Sequence, residues 1–205
     1  MTLLFIRHGE TALNAARVMQ PADTPLSPRG RAQAQAVAQR LATLRPAAVL
    51  SSDLPRALQT AQAIAAADGG LAVQTTALLH ERNFGALRGR PRDSIDFDPL
   101  VMTEAPPGGE SMAEFLDRAA RAFAHAVQWR AALDGPLVVV SHGLLIRALL
   151  GRQVEVPEGL PVPDRIGNTS VTEVEPAPPH RAWRVDCRMH LHGGIAEDGH
   201  SLSGG

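Results

Sequence analysis

The 205-residue chain contains no lysine and no tyrosine, and its only cysteine is Cys187. One cysteine excludes an internal disulfide and lacks the partners of a cysteine zinc site. Without lysine, the chain cannot form a phosphate loop of the G-x-x-x-x-G-K type. A formal net charge of −1 and an aromatic content of 3% leave no basic stripe and few aromatic platforms for nucleic acid. We therefore expect no nucleic-acid partner.

No hydrophobic run reaches the length of a membrane span, and the chain enters an apolar segment at Leu3, which leaves no room for a signal peptide. We therefore expect a cytoplasmic protein that does not contact a membrane. The length and the 44% hydrophobic content predict a single domain over residues 1–189. Residues 190–205, rich in Gly, Ser and His, are expected to form a flexible tail. Whether the chain forms a homodimer stays open.

Apolar runs alternate with helical patterns along the chain. Strands are predicted at 2–7, 47–52, 71–75 and 136–141, and near 168–174 and 181–187. Helices are predicted at 27–44, 54–67, 110–133 and 143–151, with an irregular segment at 80–109. This alternation predicts a three-layer α/β/α fold with a central, mostly parallel sheet. The irregular segment is expected to form a small cap insert.

Three predicted strands end in residues suited to binding an oxyanion. The first ends in Arg7-His8-Gly9, another leads into Ser141-His142-Gly143, and a third leads into a helix whose first turn holds Arg56. Arginine offers a planar fork of donors that matches phosphate oxygens, and histidine offers a neutral nitrogen near pH 7. Because the carboxyl ends of parallel strands meet at one edge of the sheet, these side chains can converge. Either histidine alone could merely be hydrogen-bonded at a strand end.

Six motifs follow one another between residue 3 and about residue 174. They are Arg7-His8-Gly9-Glu10-Thr11 with Asn14, Ser51-Ser52-Asp53-Leu54-Pro55-Arg56-Ala57-Leu58-Gln59-Thr60-Ala61, Glu81-Arg82-Asn83-Phe84-Gly85 with Gly89, Pro107-Gly108-Gly109-Glu110-Ser111, Ser141-His142-Gly143 and Asn168-Thr169-Ser170-Val171. In sequence and in order they resemble the histidine phosphatase superfamily, the group that includes the cofactor-dependent phosphoglycerate mutases. This resemblance implies a phosphoglycerate mutase-like fold.

The resemblance also implies the catalytic roles. It matches His8 to the nucleophile, with Arg7, Arg56 and His142 holding the phosphate group, and Glu81 to the acid that protonates the leaving alcohol. The residues alone do not show which of the two histidines is the nucleophile. An unperturbed imidazole has a pKa of ~6.5, so either ring would be largely neutral at neutral pH.

Several assignments keep a structural alternative. Asn14 resembles a further phosphate contact, yet a helix-end asparagine explains it too. Glu81 could instead be a surface glutamate paired with Arg82. Gly9 and Gly143 are expected to let a phosphate approach the backbone closely.

The sequence indicates less clearly which residues contact the alcohol part of the substrate. Arg90 and Arg92 are candidate ligands for a substrate carboxylate or second phosphate, although arginines on an exposed loop are often only solvated. The 106–111 turn is expected to close one wall of the pocket. For Asn168 and Ser170, a structural role at a strand edge and a substrate contact are equally open.

The length of the cap insert bears on the reaction. Glu81 and His142 are 61 positions apart, which is short beside the larger insert of the mutases that the chain resembles. We therefore expect a phosphomonoesterase that hydrolyses a small phosphorylated metabolite through a phosphohistidine, without metal or cofactor. A cofactor-dependent phosphoglycerate mutase is one alternative, and a non-catalytic regulatory module that binds a phospholigand is another.

Overall fold

A computed structural model describes residues 2–195 of the chain as a sheet with helices on both faces. The strands are β1 (Leu3–Arg7), β2 (Ala48–Ser51), β3 (Val73–Thr75), β4 (Leu137–Ser141), β5 (Val171–Val174) and β6 (Ala182–Cys187). The helices are α1 (Ala12–Ala15), α2 (Pro28–Ala42), α3 (Pro55–Ala67), α4 (Met112–Ala131) and α5 (Gly143–Leu150). Every predicted strand and helix is present within residues 2–195, and of the α-helices just given α1 alone was not predicted.

The order of the strands places β2, β4 and β1 side by side within the sheet. The order is β3-β2-β4-β1-β5-β6. Strands β1 to β4 pair in parallel, whereas β5 runs antiparallel to both of its neighbours. The predicted mostly parallel sheet is therefore confirmed. Arg7 pairs with Ser141 in register, so the residues that follow β1 and β4 leave the sheet at the same edge.

The alternation of side chains along the strands explains the three layers. In β1, Leu3 and Phe5 face α4 and α5, whereas Leu4 and Ile6 face α2 and α3. All five residues of β1 are buried, as expected for a strand covered on both faces. The predicted α/β/α architecture is therefore confirmed.

Two long helices begin where the sequence indicates. The Ser27 hydroxyl accepts a hydrogen bond from the amide of Gly30 at 2.9 Å, with Pro28 in the first turn of α2. Helix α4 begins with a reciprocal capping box between Ser111 and Glu114. Such caps satisfy amides at a helix start that have no partner within the helix.

The segment 80–109 folds into an insert with a small core of its own. Phe84, Leu87 and Ile95 pack there with Met19, which lies outside the insert. Short 3₁₀ turns at Gly85–Leu87 and Arg92–Ser94 shape the chain between these apolar residues. The insert thus packs around an apolar cluster that it shares with residues outside it.

The beginning of the predicted tail contacts helix α2. The Gln33 amide donates to the carbonyl of Ile195 at 3.0 Å, and Arg40 Nη1 lies 3.3 Å from His190 Nδ1. The rest of the predicted flexible tail, 196–205, lies outside the described residues. Among the helices of residues 2–195, none combines the length and the apolar character that a bilayer crossing demands.

Candidate active site

The two predicted histidines lie side by side beyond the ends of β1 and β4. The His8 amide donates to the carbonyl of Ser141 at 2.9 Å, which continues the pairing of the strands. The ring centroids of His8 and His142 are 5.1 Å apart, and both rings are buried. The convergence that the strand pattern predicts is therefore present in the structure.

One hydrogen bond fixes the protonation of the His8 ring. Its Nδ1 lies 2.7 Å from the carbonyl oxygen of Gly9. Because a carbonyl oxygen can only accept, we assign the ring proton to Nδ1 and the lone pair to Nε2. Burial, and then the charges of Arg56 and Arg7, lower the pKa of His8 well below its usual value. The ring is therefore neutral at neutral pH, with Nε2 able to act as a nucleophile.

Two buried arginines supply positive charge beside the histidines. Arg7 donates to the carbonyl of Ile166 at 2.6 Å, and Arg56, in the first turn of α3, donates to that of Pro21 at 3.3 Å. Burial lowers the pKa of Arg56 to about 10, so it stays charged at neutral pH. Together the two guanidiniums give the site the positive potential that an oxyanion requires.

His142 is held by the residue that follows β2. Its Nε2 lies 3.0 Å from the hydroxyl of Ser52, and its buried Nδ1 has no hydrogen-bond partner within residues 2–195. Burial, and then Arg56, lower the pKa of His142 well below its usual value. A neutral His142 ring has one N–H, with which it can donate one hydrogen bond to a bound anion.

Glu81 is a buried acid at the start of the insert. One carboxylate oxygen accepts from the amide of Leu144 at 3.0 Å and the other from that of Arg82 at 3.1 Å. Burial raises the pKa of Glu81 although these two hydrogen bonds oppose the shift. The surface ion pair with Arg82 is not formed, because the Arg82 guanidinium instead binds the carbonyls of Met102, Glu104 and Glu110. A carboxyl group with a raised pKa suits general acid catalysis.

Arg118 on α4 holds the segment that carries Glu81. Its guanidinium donates to the carbonyls of Leu78, His80 and Glu81 at 2.9, 2.7 and 3.3 Å. It also forms an ion pair with Glu110 at 2.7 Å. The sequence did not single out Arg118, because its partners are mainly backbone carbonyls 37 to 40 positions away, which leave no local pattern.

Replacing Arg118 is expected to misplace the acid. In Arg118→Gln we expect kcat for alkyl phosphates to fall roughly 10- to 100-fold with little change in KM, because small misplacements of reacting groups cost that much. We also expect the free energy of unfolding to fall by about 2 kcal/mol, since hydrogen bonds to a charged group are lost. Steady-state kinetics and urea titration measure both quantities.

Arg121 on the same helix provides the matched control. It is exposed and pairs only with Asp117 at 3.0 Å among the residues described. Arg121→Gln is expected to change neither kcat nor stability appreciably. Similar kinetics in the two variants would refute the positioning role of Arg118.

The predicted glycines are explained in part by packing. A Cβ on Gly9 would lie 2.4 Å from the carbonyl oxygen of Gly30. Gly9 is thus required for the contact between the β1 end and α2, whatever ligand binds. Gly143 is the buried first residue of α5, and a close approach of phosphate to either backbone stays a prediction.

The predicted asparagines have structural roles. The side-chain oxygen Oδ1 of Asn14 accepts from the amide of Thr11 at 3.2 Å within a capping box of α1, so its helix-end role is present. A phosphate contact through the Asn14 amide stays a prediction. Asn168 donates to the carbonyl of His8 at 3.0 Å, which supports a role in fixing the backbone of His8.

A cleft of about 480 Å³ lies beside these residues. Its lining consists of Ala22, Leu54, Ala77, His80, Glu81, Asn83, Arg88, Gly109, Glu110, Glu114 and Arg118. The acid Glu81 thus faces the cleft, while His8, only 2% exposed, is not part of its lining. The 106–111 turn contributes Gly109 and Glu110, in agreement with the expectation that it closes one wall.

The structure places the insert arginines differently from the sequence prediction. Arg90 is exposed, donates to the carbonyl of Ser94 at 3.0 Å and does not line the cleft. Arg92 pairs with Asp98 at 3.2 Å. Arg88, which the sequence did not single out, lines the cleft instead.

Comparisons with known proteins agree with this site. Residues 3–186 match the family model described as histidine phosphatase superfamily (branch 1). The chain is 37% identical over 185 residues to the probable phosphoglycerate mutase GpmB of Yersinia enterocolitica, covering 85% of each chain. It is 36% identical over 188 residues to glucosyl-3-phosphoglycerate phosphatase of Mycobacterium tuberculosis, covering 84% of each.

The fold is also similar to a solved structure. A mycobacterial glucosyl-3-phosphoglycerate phosphatase in complex with inorganic phosphate superimposes with a TM-score of 0.75 and 29% sequence identity. The similarity covers 93% of the present chain and 99% of the other. Nearly the whole of both folds is therefore shared.

Proposed function

Because the chain belongs to the histidine phosphatase superfamily, we propose that His8 is the nucleophile of a phosphatase that hydrolyses small phosphate monoesters. Its mycobacterial relatives are phosphatases, which supports hydrolysis over the mutase reaction. The single observation that carries the proposal is a buried, neutral His8 whose Nδ1 is bound to Gly9, beside two arginines and facing neutral His142. We place the reaction in the cytoplasm, where charged phosphate esters are made and retained.

The reaction takes two displacements. In the first, Nε2 of His8 attacks the phosphorus, the bond from phosphorus to the alcohol oxygen breaks, and protonated Glu81 gives its proton to that oxygen. In the second, Glu81 as carboxylate takes a proton from water, the water oxygen bonds to phosphorus, and the phosphorus–nitrogen bond breaks. Inorganic phosphate leaves, and His8 and Glu81 return to their starting forms.

The phosphate clamp consists of Arg7, Arg56 and His142. Fixed donors of this kind stabilise the charge that spreads over the three equatorial oxygens in the transition state. Loss of one such donor typically costs about 3 kcal/mol, or roughly a hundredfold in rate. We propose that these donors do the electrostatic work without a metal ion.

A panel of phosphate esters tests the proposed function. Phosphate release is measured from 3-phosphoglycerate, glucosyl-3-phosphoglycerate, glycerol 3-phosphate and p-nitrophenyl phosphate, with EDTA present. The same samples are assayed for 2-phosphoglycerate, with and without 2,3-bisphosphoglycerate. We expect phosphate release from at least one ester with kcat of about 1 s⁻¹ or more, and only traces of isomerised product.

The alternative functions give different results in this panel. Isomerisation faster than phosphate release would identify a mutase. Phosphate binding without turnover of any ester would identify a regulatory binding module. Loss of hydrolysis in EDTA, restored by a divalent cation, would overturn the metal-free mechanism.

A further inference from the structure

Thr169 is a strained residue that contacts the backbone of the nucleophile. Its φ of 53° lies in the left-handed region, which is costly for a β-branched side chain. Its amide donates to the carbonyl of Arg7 at 3.0 Å and, over a longer distance of 3.4 Å, to that of His8, and the residue is fully buried. A strained conformation persists only where surrounding contacts hold it, and such residues cluster at active sites. The contacts of Thr169 therefore bear on the placement of His8.

His190, in the segment after β6, makes one of these contacts. Its Nε2 lies 3.1 Å from the hydroxyl of Thr169, and its Nδ1 lies 3.3 Å from Nη1 of Arg40 on α2. Because the Arg40 guanidinium can only donate, we assign the lone pair of His190 to Nδ1 and its proton to Nε2. The Thr169 hydroxyl donates to the carbonyl of Asn168 at 2.8 Å, so its oxygen accepts from Nε2. Each of these hydrogen bonds thus joins one donor to one acceptor.

The surroundings keep His190 in the neutral form that this pattern requires. Burial, and then the charge of Arg40, lower the pKa of His190 to about 4. A protonated ring would point its second N–H at the Arg40 guanidinium, which has no lone pair to accept it. At neutral pH the ring therefore connects α2 to Thr169.

The same segment also supports the residues that follow His8. The side-chain oxygen of Gln33 on α2 accepts from the amide of Glu10 at 2.9 Å, and its amide nitrogen donates to the carbonyl of Ile195 at 3.0 Å. Gln33 is fully buried. Residues 190–195 therefore bind two side chains that in turn hold the backbone on either side of the nucleophile in sequence.

We propose that His190 is a positioning residue for the nucleophile. It holds Thr169, and Thr169 and Asn168 hold the backbone of Arg7 and His8, so that Nε2 of His8 stays aligned with the phosphorus. This inference rests on the proposed phosphatase function. His190 acts through the backbone and not on the substrate, and small misplacements of reacting groups are enough to lower the rate.

Two substitutions of His190 test the proposal. His190→Ala removes the donor to Thr169, whereas His190→Gln keeps a donor and an acceptor, because its amide nitrogen takes the approximate place of Nε2. We expect kcat for the best ester of the panel to fall roughly 5- to 30-fold in His190→Ala, the range of coupling through a contiguous network. In His190→Gln we expect a fall of less than about twofold.

His192→Ala is the matched control, because His192 is an exposed histidine two positions further on. It is expected to keep the wild-type kcat. An unchanged kcat in His190→Ala, or an equal fall in His192→Ala, would overturn the proposal. Equal losses in His190→Ala and His190→Gln would do the same, since the hydrogen bond would then not matter.

A double-mutant cycle shows whether His190 acts through Thr169. Thr169→Val keeps the branched shape of the side chain and removes the hydroxyl. If the two residues form one chain of contacts, adding His190→Ala to Thr169→Val should lower kcat by less than about twofold further. Losses that simply multiply would show that the two residues act independently, and would overturn the proposal.

Hydrogen exchange separates this inference from the proposed function, because it needs no turnover. Mass spectrometry of peptic peptides follows amide exchange in segments 3–14 and 165–172. In His190→Ala we expect exchange in both segments to be about 5-fold faster, in line with the loss of one hydrogen bond, and in His192→Ala we expect no change. This result would show that His190 holds the nucleophile loop even if no ester is hydrolysed. Unchanged exchange in these segments, even with a lower melting temperature, would overturn the inference although hydrolysis is observed.

Discussion

His8→Asn is expected to lower kcat for every phosphate ester by roughly 10⁴-fold or more, because the reaction loses its covalent route. Asparagine can still donate a hydrogen bond to the carbonyl of Gly9, which the His8 ring binds at 2.7 Å. The variant should therefore fold normally and still bind inorganic phosphate. Phosphate-release assays measure the loss, and calorimetry with inorganic phosphate measures the binding.

His142→Ala is the matched comparison, since the His142 ring is also buried and neutral. Alanine removes the donor that asparagine would keep, so the variant should lose about a hundredfold in rate if His142 only donates a hydrogen bond. The two variants thus distinguish histidines that the sequence alone leaves equivalent. A larger loss in His142→Ala than in His8→Asn would exchange their assigned roles.

Glu81→Gln is expected to lower kcat for alkyl phosphates by about 10³-fold, within the range typical of general acid catalysis. Glutamine keeps the size of the side chain but has no proton to give to the leaving alcohol. p-Nitrophenyl phosphate needs little help from an acid, so its first turnover should stay fast. Slow attack of water then limits the second step, and stopped-flow absorbance should show a burst of one p-nitrophenolate per chain.

The pH dependence follows from the two shifted groups. The productive form has His8 neutral and Glu81 protonated. Burial lowers the pKa of His8, so activity persists on the acidic side of the usual histidine pKa. Burial raises the pKa of Glu81, so the alkaline fall in kcat should occur above the usual range of a glutamate. Glu81→Gln should remove that alkaline fall for alkyl phosphates, and an unchanged profile would contradict its role as the acid.

Much of this site could be predicted because its residues lie at the ends of buried parallel strands. The apolar run before Arg7 and the one before His142 both predict strands, and neighbouring parallel strands bring their ends together. The position of Arg56 in the site could be predicted from the same rule, since Arg56 lies in the helix after β2. The location of the clamp therefore depends mainly on local patterns.

The rest of the site depends on long-range contacts. Arg118 acts through backbone carbonyls of a distant segment, and backbone atoms leave no trace in the pattern of side chains. Arg88 and Arg90 are equivalent in sequence terms, yet the first lines the cleft and the second does not. Gly9 was predicted for phosphate approach, but its contact with Gly30 of α2 depends on how α2 packs.

Trapping the phosphorylated enzyme tests the central claim most directly. The wild-type protein is mixed with a rapidly hydrolysed ester, quenched in base within milliseconds, digested with trypsin and analysed by mass spectrometry. Cleavage after arginine places His8 in peptide 8–17 and His142 in peptide 131–147. We predict one phosphoryl group on peptide 8–17, stable in base and lost in acid, and absent from His8→Asn. Turnover without a phosphorylated peptide, or a phosphoryl group on peptide 131–147, would contradict the phosphohistidine mechanism on His8.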